Sequence, residues 1–382
     1  TCKRNPNYWG KDVAVNKGRY NFQRLKYVYY RNLEVSFEGF KSGQFSLYEE
    51  KIAKNWVTGY DFPALQAGWV KKYQTTLAAP LDIQSLVFNI RRAPFNDIHL
   101  RQALTYAYDF EWQNKALFFN KYQRLQSYFE HSDLAATGQP SVAERRILAP
   151  FLAKLHPVMQ KGVLANWRYP VSDGSGFNRQ NLLTAQQILK TAGYVIQNGK
   201  LYDRQGKAIR IELLLQQHNP TRELMPFVRN LKRLGIQVNL RQVDNPQYTE
   251  RIRRQNFDMM VLRLPQTLTP GKEQAQFWGS AAADEVGNYN YAGIKNPAID
   301  AVIAKIVAAK NRDEVLYSHV LDRLLRAGYY QILTYGKPEH WFAYWNMYQQ
   351  PQRKPKLSVG WEYWWVDVQK ANQLQQQMQQ LK

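Results

Sequence analysis

Apolar positions along the chain alternate between strand-like and helix-like spacing. Leu25, Tyr27 and Tyr29 recur at every second residue, as one face of a strand requires, and Val35, Phe37 and Phe40 then shift to a helical period that Gly43 closes. Strands are predicted at 70–76 and 86–90. From Asp97 the period is helical, with Ile98, Leu100, Ala103, Leu104 and Ala107 on one face and Asp97 placed as N-cap. The stretch 130–179, rich in Gly, Pro, Ser and Asp, reads as a loop excursion around one helix at 141–148. A helix at 181–192 is closed by Gly193. Strand 209–215, helix 220–234, strand 236–243, helix 246–254 and strand 257–262 follow, an order that predicts βαβ units in a compact sheet. Helices at 298–309 and 313–327 precede a strand near 331–335. After Pro338 the chain turns Trp- and Tyr-rich and ends in a Gln-rich tail, 369–382, read as a frayed helix.

Composition narrows the classes open to this α/β pattern. The 382 residues suit two or three domains at roughly 150 residues each, and 45% hydrophobic with 21% charged content is ordinary for a globular protein. No run approaches the roughly 18 uncharged apolar residues of a membrane span. The single cysteine, Cys2, excludes an internal disulfide and a multi-cysteine metal site. Lys and Arg number 52 against 30 Asp and Glu, a net charge of +22 that suits nucleic acid, anionic membrane or an acidic ligand. The densest basic stretch, 229–254, holds seven basic and two acidic residues spread over several predicted elements, which is a modest patch. The first residues, Thr1-Cys2-Lys3-Arg4-Asn5-Pro6, carry neither initiator Met nor leader pattern, and read like the middle of a protein.

Catalytic and cofactor patterns find little footing. The six histidines are scattered without an HExxH or i, i+4 pair, so a zinc site has little support. Gly174-Ser175-Gly176 lacks the third glycine and flanking strand of a dinucleotide loop and reads as a turn. Cys2 has no oriented base beside it, and Glu49-Glu50, as strand neighbours, point to opposite faces. An enzyme is disfavoured and no cofactor is expected. Tyr27-Val28-Tyr29-Tyr30-Arg31 has the interleaving of an RNA-stacking strand without full RNP1 spacing, which leaves a basic nucleic-acid-binding protein as a runner-up.

Three phrases carry a resemblance. Arg4-Asn5-Pro6-Asn7-Tyr8-Trp9-Gly10 is similar to "RNPxYW". Ala93-Pro94-Phe95-Asn96-Asp97-Ile98-His99-Leu100-Arg101-Gln102-Ala103-Leu104 is similar to "PFxDxxVRQAL". Asn290-Tyr291 with Asn296-Pro297-Ala298-Ile299-Asp300 is similar to "NYxxxxNPxxD". In order, they resemble the landmarks of family 5 extracytoplasmic solute-binding proteins, the peptide- and nickel-binding receptors of ABC importers. Lys54-Asn55-Trp56-Val57-Thr58-Gly59-Tyr60, Asp109-Phe110-Glu111-Trp112, Pro270-Gly271-Lys272-Glu273 and Phe277-Trp278-Gly279-Ser280-Ala281 resemble the YejA-like oligopeptide-binding receptors in particular.

The resemblance implies the two-lobe periplasmic-binding-protein fold of type II, in the dipeptide/oligopeptide-binding cluster. Residues 1–85 and 338–382 would belong to lobe I and 86–337 to lobe II, with an N-terminal part and signal peptide lying outside this sequence. It implies a periplasmic, non-enzymatic receptor that captures oligopeptides and hands them to ABC permease membrane subunits, with the missing N-terminal segment as partner and no role for nucleic acid. Another solute on the same fold, a nickel chelate or a peptide-conjugated antibiotic, is the alternative. Asn219-Pro220-Thr221-Arg222 is similar to the region that meets the peptide carboxylate. Arg222 in a first helical turn would suit an anion held jointly with free N–H groups, and a solvated arginine is the competing reading. Where the family places an amine-binding aspartate, this chain reads Arg263-Leu264-Pro265-Gln266-Thr267, without a carboxylate. Glu273, or Glu49 or Glu50 beside Tyr48, are possible substitutes, with surface salt bridging as their bland reading. Asn55, Trp56, Trp278 and Trp345 are candidates for pocket walls, with buried packing as the ordinary alternative.

Overall fold

A computed structural model describes residues 1–217 and 221–380 of the chain. It divides into two compact units, Thr1–Ala78 with Pro338–Lys382, and Ala79–Lys337.

The second unit is built on a five-stranded sheet in the order Gln237–Val243, Arg210–Gln216, Met259–Leu264, Ile83–Phe88 and Gln331–Leu333. Arg210–Gln216 runs parallel to both its neighbours, whereas Ile83–Phe88 is antiparallel to both of its own. Side-chain alternation feeds two cores. Ile83, Val87, Leu214, Met260 and Leu262 go to one, and Leu86, Phe88, Leu213, Leu215 and Met259 to the other. Burial on both faces explains the apolar runs at 86–88, 213–215 and 259–262 in the three central strands. The helices Ile98–Ala107, Arg179–Thr191 and Met225–Arg233 cover one face, while Pro297–Ala308 and Glu314–Ala327 cover the other. Asp97 caps its helix by accepting from the His99 N–H at 2.8 Å. Gly193 takes φ +85° after the second of them, a conformation that favours glycine.

The first unit holds a three-stranded antiparallel sheet in the order Leu47–Glu50, Glu339–Trp345 and Val70–Thr76. Helix Leu33–Lys41, capped by Asn32, lays Phe37 and Phe40 against Tyr48. Trp56 stacks on Trp341 with ring centroids 5.6 Å apart and planes 3° from parallel.

Several predicted elements differ. The alternation at Leu25, Tyr27 and Tyr29 yields only the strand Arg24–Leu25, paired with Cys2–Lys3; Tyr27 and Tyr29 are exposed, and among the described residues no strand pairs with them. Within 130–179 there are two helices rather than one, Val142–Leu152 and Pro157–Leu164, the second opened by Pro157 and capped by the His156 ring. The helix predicted at 220–234 is instead a 3-10 turn, Thr221–Glu223, followed by Met225–Arg233, and His218, Asn219 and Pro220 lie outside the described residues. The strand Glu339–Trp345 sits where aromatic composition alone had been noted. Strand Ile83–Phe88 lies wholly in the second compact unit, which begins at Ala79.

Candidate functional site

A cavity of about 130 Å³ opens in the second unit, lined by Gln84, Ser85 and Leu86 from one strand, Tyr108, Gln113, Glu223 and Leu224 from the helical side, and Val261, Thr334 and Tyr335. The 3-10 turn Thr221–Glu223 delivers Glu223, whose backbone carbonyl accepts from Gln113 Nε2 at 2.7 Å. Its carboxylate accepts a 2.6 Å hydrogen bond from the Tyr335 hydroxyl. Burial pushes the Glu223 carboxyl up from its ordinary pKa, only partly opposed by that hydrogen bond and by the charge of Arg222. The Tyr335 phenol is likewise raised, by burial first and by the Glu223 charge second. Tyr335 is held flat against Tyr122, 4.9 Å away at 7°, and packs on Phe118 at 4.5 Å.

Behind the cavity, the Arg124 guanidinium lies between the rings of Tyr108, at 4.4 Å, and Tyr169, at 4.8 Å. Its three nitrogens are buried and make no hydrogen bond among the described residues. Burial lowers its pKa. The Tyr108 hydroxyl is buried beside Thr334 without completing a hydrogen bond of good geometry. Ser85 and Thr334 are occupied: Ser85 Oγ donates to Gln331 Oε1 and Thr334 Oγ1 to the Gln84 carbonyl, each at 2.8 Å.

The residues singled out from sequence fall into sets. In the second unit, Gln266, Glu273 and Trp278 meet at Gln274: Gln274 Nε2 donates to Gln266 Oε1 and Glu273 Oε1, both at 3.2 Å, and Trp278 Nε1 donates to Gln274 Oε1 at 3.0 Å. Trp278 is 2% exposed and packs edge-on to Tyr128. Arg263 donates to Asp82 at 2.8 Å on the surface, and Thr267 is exposed. Arg222 is exposed and precedes the helix Met225–Arg233, so the first-turn dipole argument for an anion there does not hold.

In the first unit, Glu50 is fully buried and accepts from the Ile52 N–H at 2.8 Å and the Tyr60 hydroxyl at 3.4 Å. Glu49, on the opposite face, pairs with His340 at 3.6 Å and Lys51 at 3.9 Å. Tyr48 is buried, and its phenol pKa is pushed up by burial and then by the charge of Glu50. Asn55 is half-buried at the start of the turn Asn55–Gly59. Trp56 carries the Lys72 ammonium over its ring at 3.9 Å, and Lys72 donates to the Trp56 carbonyl at 2.8 Å. Trp345 is packed, with its Nε1 donating to the Phe40 carbonyl at 3.1 Å.

Glu223, Tyr335, Gln113, Tyr108 and Gln274 were not anticipated. The Thr221-Arg222-Glu223 triplet ahead of an amphipathic helix was the available signal, in which the resemblance falls on the arginine rather than on the acid. Residues of the second and third landmark phrases serve the fold. Arg101 donates to the carbonyls of Phe95, Gly328 and Tyr329 at 2.5, 3.0 and 3.1 Å, and Asn290 ties Gly279 to Ile294. Asp300 accepts from the Ser280 N–H and hydroxyl. Among the described residues no group of three His, Cys, Asp or Glu side chains converges as a metal site, and no helix is long and apolar enough to cross a membrane.

Comparison with known proteins adds the context. The family described as bacterial extracellular solute-binding proteins, family 5 Middle, matches residues 1–285. The chain is 40% identical over 370 residues to the probable peptide-binding protein YejA of Agrobacterium fabrum, covering 96% of this chain and 60% of that protein. It is 35% identical over 372 residues to the peptidoglycan-binding protein YepA of the same organism, covering 95% and 60%. In structure it is similar to the oligopeptide-binding protein AppA from Bacillus subtilis, solved in complex with a nonapeptide, with a TM-score of 0.65 and 18% identity over 87% of this chain and 58% of that one. The chain therefore spans about 60% of the length of these curated relatives.

Proposed function

Because the chain belongs to the bacterial extracellular solute-binding proteins of family 5, we propose that it works in the periplasm as part of an oligopeptide receptor that delivers its ligand to the membrane subunits of an ABC importer. The observation that carries this reading is the 40% identity, over 370 residues, to a probable peptide-binding protein. The two compact units are assigned to the two lobes of the receptor fold, Thr1–Ala78 with Pro338–Lys382 to the first and Ala79–Lys337 to the second. The protein's task is capture and release without bond chemistry. A receptor for many peptides must read what peptides share, so main-chain hydrogen bonds and terminal charges supply affinity while side chains enter roomy, wet pockets. On the second unit Arg222, Arg263, Thr267 and Gln266 are assigned to such polar contacts, and on the first unit, taken by itself, Glu49 and Asn55 are. Trp278, Trp345 and Trp56, being buried, are assigned to holding the walls in place.

The similarity to a peptidoglycan-binding protein favours a second reading, in which the peptide is a cell-wall fragment. Calorimetric titration of the full-length protein with mixed-sequence peptides, with cell-wall peptide fragments and with oligonucleotide, at low and moderate salt, tests both. Peptide binding with a shallow salt dependence is the expected result. Steep loss of oligonucleotide binding with salt, and no peptide binding, would overturn it.

A further inference from the structure

Two helices of the second unit begin at one place. Ile98–Ala107 is capped by Asp97 and Pro157–Leu164 by His156, and the rings of His99 and His156 meet edge to face, with centroids 5.3 Å apart and planes at 74°. The cap on the second helix is a ring nitrogen: His156 Nδ1 accepts from the Val158 N–H at 3.2 Å. Pro157 has no N–H, and the Gln160 N–H reaches the His156 carbonyl at 3.0 Å, so Val158 carries a first-turn donor that needs a partner from outside the helix. An accepting nitrogen must be bare, so the neutral ring holds its proton on Nε2. A charged imidazolium has protons on both nitrogens and accepts on neither.

The surroundings resist that charge. Both helices present the positive ends of their dipoles here. The charged and titratable groups facing His156 from the other helix are His99, Asp97 and Arg101. Of these only Asp97 is an anion, and its carboxylate is already engaged by the His99 N–H at 2.8 Å, His99 Nδ1 at 3.0 Å and the Tyr194 hydroxyl at 3.1 Å. The helix Glu314–Ala327 packs on Pro157–Leu164 so closely that a Cβ on Gly162 would lie 2.9 Å from that of Ala327. Its charged groups turn elsewhere: Asp322 and Arg326 pair with each other, Arg323 and His319 with Glu144, and Glu314 with Arg312. On the segment of His156 itself, Lys154 and Lys161 are exposed.

We propose that His156 is an acid-sensitive latch on the helix Pro157–Leu164. Protonation of its Nδ1 turns the capping acceptor into a donor that confronts the Val158 N–H, and the first turn opens, loosening Met159 from the core. Burial first and the His99 charge second lower the His156 pKa from 6.5, with Asp97 opposing them. A histidine depressed in the folded state contributes fully above 6.5 and loses its contribution as the pH falls below that value. The opening is confined to one exposed turn, so it is read in amide exchange rather than in the melting temperature. The latch does not depend on the peptide reading; in an extracytoplasmic protein it would report external acid.

The test is amide exchange together with NMR of the histidine ring nitrogens, on the full-length protein between about pH 8 and about pH 5. With the intrinsic pH dependence of exchange removed, protection of the Val158 N–H is expected to fall about fivefold towards the acid end. The fall should share its midpoint with protonation of His156 Nδ1. His156→Asn supplies a cap that does not titrate and should hold protection constant across the range, its folding being checked by its melting curve. Should that variant fail to fold, the wild-type ring decides. A bare Nδ1 at about pH 8 that gains its proton at the midpoint of the exchange change upholds the latch, and an Nδ1 already bearing the proton there overturns it. Val158 protection unchanged with pH in the wild type, or a fall retained in His156→Asn, would equally overturn it.

Discussion

Asp322 lies 3.2 Å from Arg326, one turn further along the same helix, and neither side chain is more than 3% exposed. The Asp322 carboxylate also accepts from Ser127 Oγ, the Tyr128 N–H and the Ala136 N–H at 2.8, 2.9 and 3.0 Å. Arg326 in turn donates to the carbonyls of Gln126 and Ala136 at 3.2 and 3.1 Å. One buried pair thus pins a loop whose composition suggests little order. Asp322→Ala strands the guanidinium and three donors, and is expected to destabilise the protein by about 3–5 kcal/mol. Urea denaturation of the variant measures this, and a loss under about 1 kcal/mol would contradict the pinning role.

Glu144 and His319 set a pH window. Burial alone would raise the Glu144 pKa, but hydrogen bonds from His319 and from the Ser141 backbone, with the Arg323 charge, bring it to about 2 from 4.5. The His319 pKa is raised above 6.5, by its hydrogen bond to Glu144 first and against the effect of burial. A carboxylate depressed in the folded state stabilises above its unfolded pKa and loses that contribution as pH falls from 4.5 towards 2. A raised histidine contributes fully below 6.5 and loses its contribution as pH rises through its folded value. The melting temperature should therefore decline on both sides of a plateau between these limits. His319→Gln should remove the decline on the alkaline side, and an unchanged profile in that variant would contradict the pairing.

Arg101 belongs to the second family landmark, and its guanidinium binds three main-chain carbonyls from the helix start and from the turn at 328–329. Arg101→Met should cost about 3 kcal/mol or more, because the buried carbonyls lose their donors. Arg101→Lys should recover only part of this, since a point charge cannot reproduce the fork. Chemical denaturation of both variants checks the order, and equal stability of the two would contradict it.

Arg124 is the opposite case, a buried guanidinium sandwiched by Tyr108 and Tyr169 with no hydrogen bond to its nitrogens among the described residues. Its desolvation is opposed by the two tyrosines first and by the charge of Glu111 after them. Arg124→Met should be neutral or stabilising by about 1–2 kcal/mol. A loss of more than about 2 kcal/mol in thermal unfolding would show that the ring contacts outweigh desolvation.

The legible parts of the fold are those whose burial is symmetrical or whose boundaries are local. Strands covered on both faces appear as apolar runs, and Asp97 and Gly193 mark helix ends through their own chemistry. Tyr27 and Tyr29 alternate as convincingly as any strand, yet alternation becomes a strand only with a neighbour, and a neighbour is a long-range fact. Pro157 was legible in principle, as a first-turn proline behind a capping histidine, but the surrounding Gly and Pro concealed it. The site was less legible still. Arg222 and Glu223 are adjacent, and only the structure shows that the arginine is exposed while the acid faces the cavity. Glu273, Gln266 and Trp278 were singled out separately, but their connection through the buried Gln274 depends on the local packing of the helix Glu273–Trp278.

The central claim is that this chain is part of a receptor for peptides. Native mass spectrometry of the full-length protein as purified, followed by denaturing release and sequencing of what it carries, tests that claim most directly. The account predicts short peptides of mixed sequence, one per protein. Release of nucleic acid, or of a solute with no peptide bond, would contradict it.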